Sequence, residues 1–416
     1  MSVTRPMGFR AAATTARIKP SGRPDLALLV REAMPDSPDR AAAAAVFTSN
    51  VVVGAPVEVG RQWRASLSRG GRPLRAMLVN AGNANAATGR PGVRDAIACM
   101  HEAAAALGCT PDEVLPSSTG VIGRRLPVDR IKAAIPALIN DLGRGREADA
   151  AFAEAIMTTD LVPKTAHREV EINGHTVHIG AAAKGSGMIA PRLDRLPPPP
   201  PHATLLAFIT TDAPIPPRLL QGMLEECCAL SFERISVDAH PSCSDTVVVL
   251  SSGAAPINMI EPGSPAALAF GAALRSLCED LAEQIVRDGE GARRLLRVQV
   301  TGAADAATAA AVGRTVAGSL LVRTAVTGGD PNWGRVLAAV GRSGTEVDLD
   351  RLTLRAGGVA IYEHGAPVPG ARAAAAQAFA RDEVILHIDL HAGPCADEFI
   401  TCDLTEEYVR INAEYT

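Results

Sequence analysis

Five consecutive prolines, Pro197 to Pro201, interrupt the chain near its midpoint and restrict what can surround them. Proline fixes φ and lacks an amide donor, so such a run enters neither a helix nor the interior of a sheet. An extended, solvated polyproline segment is the expectation. It is the one low-complexity stretch in the 416 residues, and no short-period repeat accompanies it. Composition therefore marks it as the best candidate boundary, and its simplest role is an inter-domain spacer. Just beyond it, Thr204 opens the strongly apolar run "TLLAFITTDA", so the chain passes from stiff linker to buried strand almost at once.

The remainder reads as mixed α/β with large sheets. Residues that are 47% hydrophobic, 21% charged and only 3% aromatic describe a folded chain whose core is built from Ala, Val, Leu and Ile. The length fits either two domains or one large intertwined α/β body. Strand-type runs closed by turn formers occur at "RAMLVNAG", "TVHIGAAAKG", "TLLAFITTDA", "TVVVLSSG", "LLRVQVTGA", "LTLRAGGVAIYE" and "EVILHIDL". Apolar residues three and four apart predict helices at "GVRDAIACMHEAAAALG", "DAAFAEAIM", "PRLLQGMLEECCAL" and "AALAFGAALRSLCEDLAEQIVRDG".

Several function classes are disfavoured. A net charge of −4 without a basic block argues against nucleic-acid binding. No apolar stretch approaches the roughly 20 residues that span a bilayer, and the start lacks the apolar core of a secretory signal. A cytoplasmic protein without membrane attachment is expected, although the basic, Ala/Thr-rich start also has the composition of an organelle transit peptide. The eight cysteines include no C-x-x-C pair, and the nine histidines are scattered. Reduced, mostly buried thiols and no metal are expected.

Chemistry has several candidate seats. A threonine at a strand entry is ordinarily a residue of high β-propensity. If the Ala203–Thr204 bond is cut, Thr204 gains a free α-amine of pKa about 7.7 to 8.0, which can act as general base for its own hydroxyl. "SSTGVIG" (Ser117 to Gly123) and "KGSGM" (Lys184 to Met188) combine hydroxyls, glycines and a lysine in the manner of an anion-binding nest. Neither matches a serine-hydrolase elbow or a phosphate loop. "MTTD" (Met157 to Asp160) reads as a substrate-facing turn or a helix end. Glu290 among the glycines of "RDGEGARR" reads as an ammonium partner or a solvated turn, and "VNAGNANAATG" as left-handed turns with side-chain-to-backbone hydrogen bonds.

In order along nearly the whole chain, "GFRAAATTARIKPSGRPDLAL", "VNAGNANAATG", "SSTGVIGRRLP", "AIMTTDLVPK", "AKGSGMI", "ATLLAFITTDA", "IVRDGEGA", "VQVTGA", "GDPNWGRVLAAVG" and "CDLTEEYVRINAEY" closely resemble the ornithine acetyltransferase, or glutamate N-acetyltransferase, family. The resemblance implies a layered α/β sandwich shared with DmpA-like aminopeptidases, superficially similar to N-terminal-nucleophile hydrolases. It implies self-cleavage into two interlocked chains, an α chain of residues 1–203 and a β chain of residues 204–416, assembling as an α2β2 heterotetramer. It implies ping-pong transfer of an acetyl group from N2-acetylornithine to glutamate through Thr204, without metal or organic cofactor, some members also accepting acetyl-CoA. Carried over by motif, Thr119 and Gly120 form the oxyanion hole, and Thr158, Lys184, Thr204, Glu290, Asn412 and Thr416 contact substrate.

The chain departs from the family pattern in two loops. A short connection before "AT" is replaced by "APRLDRLPPPPPH", and "DGDTSTNDT" becomes "DAHPSCSDT" (Asp238 to Thr246). Alternatives to the leading reading are therefore a specialised paralogue acting on another N-acyl amino acid, an amidase or aminopeptidase of the same fold, and an uncleaved scaffold or binding protein.

Overall fold

An Asn-Gly pair between alternating runs is the strongest short hairpin signal in a sequence, because both central residues of a type I′ turn need positive φ. Asn173 and Gly174 adopt φ values of 52° and 79°, joining two long antiparallel strands in the computed structural model, which describes residues 2–33, 40–67, 71–193 and 205–414. Pro197 to Pro201, Ala203, Thr204 and Thr416 lie outside the described residues.

The strands, in chain order, are β1 (Phe9–Thr14), β2 (Leu26–Arg31), β3 (Ala42–Phe47), β4 (Ala76–Asn83), β5 (Val114–Val121), β6 (Lys164–Ile172), β7 (His175–Lys184), β8 (Leu206–Thr211), β9 (Ile235–Ser236), β10 (Thr246–Ser251), β11 (Leu295–Ala303), β12 (Thr353–Ala356), β13 (Val359–Glu363), β14 (Ala366–Pro367), β15 (Glu383–Asp389) and β16 (Cys395–Cys402). The helices are α1 (Ala55–Leu67), α2 (Gly89–Leu107), α3 (Val128–Asn140), α4 (Arg146–Ala155), α5 (Pro217–Leu230), α6 (Pro265–Arg287), α7 (Ala306–Ala317), α8 (Leu320–Thr327), α9 (Trp333–Gly341), α10 (Ala371–Phe379) and α11 (Glu406–Glu414). Two compact units result, one of residues 1–233 and 241–285, the other of 234–240 and 286–416.

The first unit holds two sheets, ordered β1-β2-β4-β5 and β3-β10-β8-β7-β6. One apolar cluster joins Leu29 and Met77 of the first sheet to Phe47, Phe208 and Val248 of the second, with Phe152 of α4 edge-on to Phe208 at 5.7 Å. The opposite face of the first sheet presents Leu26, Leu28 and Leu78 to Cys99 of α2 and Ile131 and Ile135 of α3. The edge strand β3 is closed by Gln221 of α5, whose side-chain amide both donates to the Ala45 carbonyl and accepts from the Ala45 N–H, each at 3.1 Å. An edge satisfied in this way offers no template for further strands.

The second unit is built on one sheet, ordered β14-β13-β12-β15-β11-β16-β9. Val298, Leu386, Leu354 and Phe399 from that sheet pack with Val312 of α7, Val340 of α9 and Phe379 of α10.

The proline run does not divide the two units, since residues on both sides of it belong to the first. The physical reason is strand pairing: β7 before the run and β8 after it are antiparallel neighbours, with Lys184 opposite Leu206 and Ile179 opposite Thr211. The chain leaves and re-enters one sheet. All eight cysteines are free thiols, six of them buried. No helix among the described residues is long and apolar enough to cross a membrane.

Candidate active site

Parallel strands put their carboxyl ends at one edge of the sheet, so residues at those ends are brought side by side. In the first unit β4 and β5 run parallel, aligning Ala81 with Thr119 and Gly82 with Gly120 before the register shifts at Asn83. Thr119 is thus the buried end of a strand rather than part of a loop nest. The alternation of "VLPSSTGV" is too polar to announce a strand, and one of its hydroxyls is taken up by the neighbouring strand: the Ser118 hydroxyl donates to Asn80 Oδ1 at 2.6 Å.

Gly120 has φ +126°, and a Cβ there would lie 2.4 Å from the carbonyl carbon of Gly82 and 2.6 Å from the nitrogen of Asn83. Only glycine satisfies both the torsion and the close approach. The turn that follows Gly82 is the expected left-handed one. Asn85 and Ala87 have positive φ, the Asn85 N–H donates to Asn83 Oδ1 at 2.8 Å, and Asn83 Nδ2 donates to the Arg124 and Arg125 carbonyls.

Lys184, at the end of β7, is buried and reaches Thr119, its Nζ donating to the threonine Oγ1 at 3.4 Å. It also lies 4.0 Å from Asp160 Oδ2. Asp160 is the organiser of this corner. Its carboxylate accepts from Lys164 Nζ at 2.5 Å, from the Gly185 N–H at 2.7 Å and from the Thr158 N–H at 2.9 Å. Burial pushes the Asp160 carboxyl up, but the Lys184 and Lys164 ammoniums and these hydrogen bonds outweigh it and hold it well below the usual carboxylate range. Thr158 therefore sits in a turn pinned to its own Asp160, just past the end of α4.

Thr158 and Asp160 face a cleft of about 590 Å³ that Lys19, Ser21, Arg23 and Leu161 also line. Lys19 is carried on a loop organised by buried Asp25, which accepts from the Ala16, Ile18 and Lys19 amides. Its ammonium donates to the Pro24 and Ala155 carbonyls at 2.8 and 3.1 Å. Burial pushes it down to about 8, with the Asp25 and Asp160 carboxylates opposing.

Thr204 lies outside the described residues, but its successor does not. Leu205 is buried and donates its N–H to Asp245 Oδ1. The other Asp245 oxygen is buried without a hydrogen-bond partner among the described residues. Burial raises this carboxyl well above its ordinary range, the Ser242 N–H and Lys184 opposing. Leu206 then pairs with Lys184 on one side and Thr246 on the other.

In the second unit Glu290 is buried in the turn after α6 and accepts from Asn412 Nδ2 of α11 at 2.7 Å. Gly291 makes the approach possible: at φ +71°, its absent Cβ would stand 2.5 Å from the Tyr408 nitrogen. Tyr408 donates to Asp238 Oδ2 at 3.3 Å, and burial followed by the Asp238 and Glu290 charges raises its phenol above the ordinary range.

The structure thus brings Thr119, Gly120 and Lys184 together with the turn bearing Thr158, and separately pairs Glu290 with Asn412. Sequence reasoning passed over Lys19, Asp160 and Asp245. Asp160 closes the segment "MTTD", Asp245 is the next-to-last residue of "DAHPSCSDT", and Lys19 stands in "ARIKPSG", where a lysine beside proline and glycine looks like solvated loop.

A profile of the ArgJ family matches residues 10–416. The arginine biosynthesis bifunctional protein ArgJ of Thermosynechococcus vestitus is 44% identical over 430 residues, spanning 100% of this chain and 97% of its own. That of Thermus thermophilus is 44% identical over 416 residues, spanning 100% of both. A crystal structure of the Bacillus halodurans arginine biosynthesis bifunctional protein argJ is 42% identical, covers 50% of this chain and 98% of the solved one, and has a TM-score of 0.49. The chain is accordingly an enzyme of the acyltransferase class acting in arginine biosynthesis. It belongs to the ArgJ family.

Proposed function

We propose that this chain cuts its own Ala203–Thr204 bond and then transfers an acetyl group from N2-acetylornithine to glutamate through an acetyl-Thr204 intermediate. The observation that supports this most is the pairing of Leu206 with Lys184, whose ammonium touches Thr119. The segment opening at Thr204 leads directly into the strand paired with β7, which carries Lys184.

The chemistry runs in two halves. The Thr204 α-amine takes the hydroxyl proton as Oγ1 attacks the acetyl carbonyl of the donor. The resulting oxyanion accepts hydrogen bonds at Thr119 and Gly120; loss of one such donor typically costs about 3 to 4 kcal/mol of barrier. Collapse expels the ornithine amine, which receives the proton, and leaves an ester on Thr204. The glutamate amine then attacks that ester, and the Thr204 hydroxyl is restored. Asp245, buried beside the Leu205 amide with one oxygen unpartnered among the described residues, suits a partner for the α-ammonium of the resting enzyme.

Lys184 suits the substrate α-carboxylate and Thr158 the wall of the cleft it lines with Asp160, while Glu290 suits an amino group with Asn412 orienting it. Thr416 is assigned to substrate by the same motif correspondence. The working form is an α2β2 heterotetramer in the cytoplasm with no metal or organic cofactor in the transfer step, and acetyl-CoA is a second candidate donor.

Incubating purified protein with acetylornithine and glutamate tests the reading. Acetylglutamate should appear with equimolar ornithine, the wild-type chain should run on a denaturing gel as two fragments meeting at Thr204, and Thr204→Ala should do neither. Ornithine release that ignores glutamate would point to hydrolysis and overturn the transfer assignment.

A further inference from the structure

Three potential metal ligands that are scattered in sequence meet on one outward face of the β6–β7 hairpin. Side chains on a strand alternate between faces, so His167 and Glu169 of β6 point the same way. The Asn173-Gly174 turn fixes the register of the hairpin, and that register sets His178 directly opposite Glu169, with His167 opposite Gly180. Cross-strand and diagonal neighbours at this spacing are within reach of long side chains.

The three candidate ligand atoms cluster closely. His167 Nε2 lies 3.4 Å and His178 Nδ1 lies 3.5 Å from the same Glu169 oxygen, Oε1. All three ligand atoms are within 4.8 Å of one another. A tetrahedral ion with ligand bonds near 2.0 to 2.1 Å holds neighbouring ligand atoms about 3.3 to 3.4 Å apart. Both histidine nitrogens are buried and lack a hydrogen-bond partner among the described residues, an arrangement that leaves two imidazole lone pairs or N–H groups without use. Their rings stack at 5.9 Å between centroids with an interplanar angle of 23°.

Further bonds hold the ligands in place. The backbone of His178 is fixed by Asp212, whose Oδ1 accepts its N–H at 2.8 Å, and by the Thr211 hydroxyl, which donates to its carbonyl at 2.9 Å. Arg5 Nη2 donates to Glu169 Oε1 at 2.9 Å. A carboxylate has about four acceptor positions, so the guanidinium can orient Glu169 in the way that outer hydrogen-bond partners orient metal-binding carboxylates, at the cost of placing a cation nearby.

We propose that His167 Nε2, His178 Nδ1 and a Glu169 carboxylate oxygen form a binding site for one divalent transition-metal ion of the zinc class, completed by solvent on the open side of Glu169. Two imidazoles with one carboxylate select Zn²⁺, Ni²⁺ or Cu²⁺ over Mg²⁺ and Ca²⁺, which prefer all-oxygen shells. The site lies outside the acyl-transfer residues, and its ion would clamp the hairpin whose far end carries Lys184.

Full-length protein stripped with chelator and titrated with Zn²⁺ by calorimetry tests this. One ion should bind per chain with a dissociation constant below about 1 mM. Binding should be at least about tenfold weaker in His178→Ala and in Glu169→Gln and absent in the double variant His167→Gln/His178→Gln. His175→Ala, on the same hairpin but outside the cluster, should bind as wild type does and so controls for damage to the hairpin. The melting temperature without metal confirms that each variant is folded. Equal affinity in wild type and the double variant, or no wild-type binding in that range, overturns the proposal.

Discussion

At the scale of single residues, Gly120 and Lys19 make opposite demands on the chemistry around them. Gly120 admits no side chain, because a Cβ would meet the Gly82 and Asn83 backbones of β4 rather than any yielding side chain. Gly120→Ala should therefore cost roughly 2 to 5 kcal/mol of stability from the strained torsion and the clash together, visible as a lowered urea midpoint. Acetyl transfer should fall by about a hundredfold or more if the Gly120 N–H serves the oxyanion. A variant with wild-type stability and rate would contradict both statements.

Lys19 matters through its charge. With its ammonium pushed down to about 8, the cleft it lines with Thr158 loses a positive charge as pH rises through that value. The KM for a carboxylate-bearing substrate should therefore climb on the alkaline side, whereas under the proposed mechanism neutralising the freed Thr204 amine in the same range should raise kcat. Lys19→Met should show a raised KM at neutral pH and no alkaline step in KM, as read from pH profiles of both constants. The stability sign is opposite: between about pH 8 and the unfolded value near 10.4 the unfolded chain binds more protons, so folding becomes more favourable as pH rises across that window.

At the scale of elements, one buried carboxylate ties strands together. Asp160 joins Lys164 at the start of β6, Lys184 and Gly185 at the end of β7, and the Thr158 turn after α4. Removing its charge takes the buried carboxylate away from the two buried ammoniums of Lys164 and Lys184, so Asp160→Asn should cost roughly 3 to 5 kcal/mol at pH 7. Because the folded carboxyl is held below its unfolded value of about 3.9, its stabilisation is fully present above that pH and lost as pH falls through the folded value. Denaturant midpoints of wild type and variant should therefore differ at pH 7 and 5 and converge in strong acid.

Legibility follows the same logic. The strands at "TVHIGAAAKG" and "TVVVLSSG" and the helix "PRLLQGMLEECCAL" stand where periodicity puts them, since apolar residues alone define them. The alanine-rich β1 and β3 and the hydroxyl-rich β5 carry no such pattern, and their strand state is imposed by neighbours in the sheet. Lys184 and Thr119 were singled out by composition, but their mutual contact depends on two strands from different sheets. Asp160 and Asp245 were invisible as functional candidates because what distinguishes them is burial beside partners that periodicity cannot pair.

At the scale of the whole molecule, the five-stranded sheet decides how the two segments bounded by Thr204 must behave. Strands β3, β6 and β7 precede that point and β8 and β10 follow it, yet in the order β3-β10-β8-β7-β6 the two later strands lie between earlier ones. Cutting the backbone between β7 and β8 leaves every ladder hydrogen bond between them in place, so the fragments should co-elute in native buffer and separate only in denaturant. The residues of the second compact unit, in contrast, all come from after Thr204. A chain of residues 204–416 expressed alone should therefore keep slow amide exchange in β11 and β15, which pair with each other, while β8 and β10, deprived of β7 and β3, exchange rapidly. Hydrogen exchange read by mass spectrometry on that fragment and on the full-length protein makes the comparison. Protected β8 and β10 amides in the isolated fragment would show that the sheet does not depend on strands from both sides of the cut.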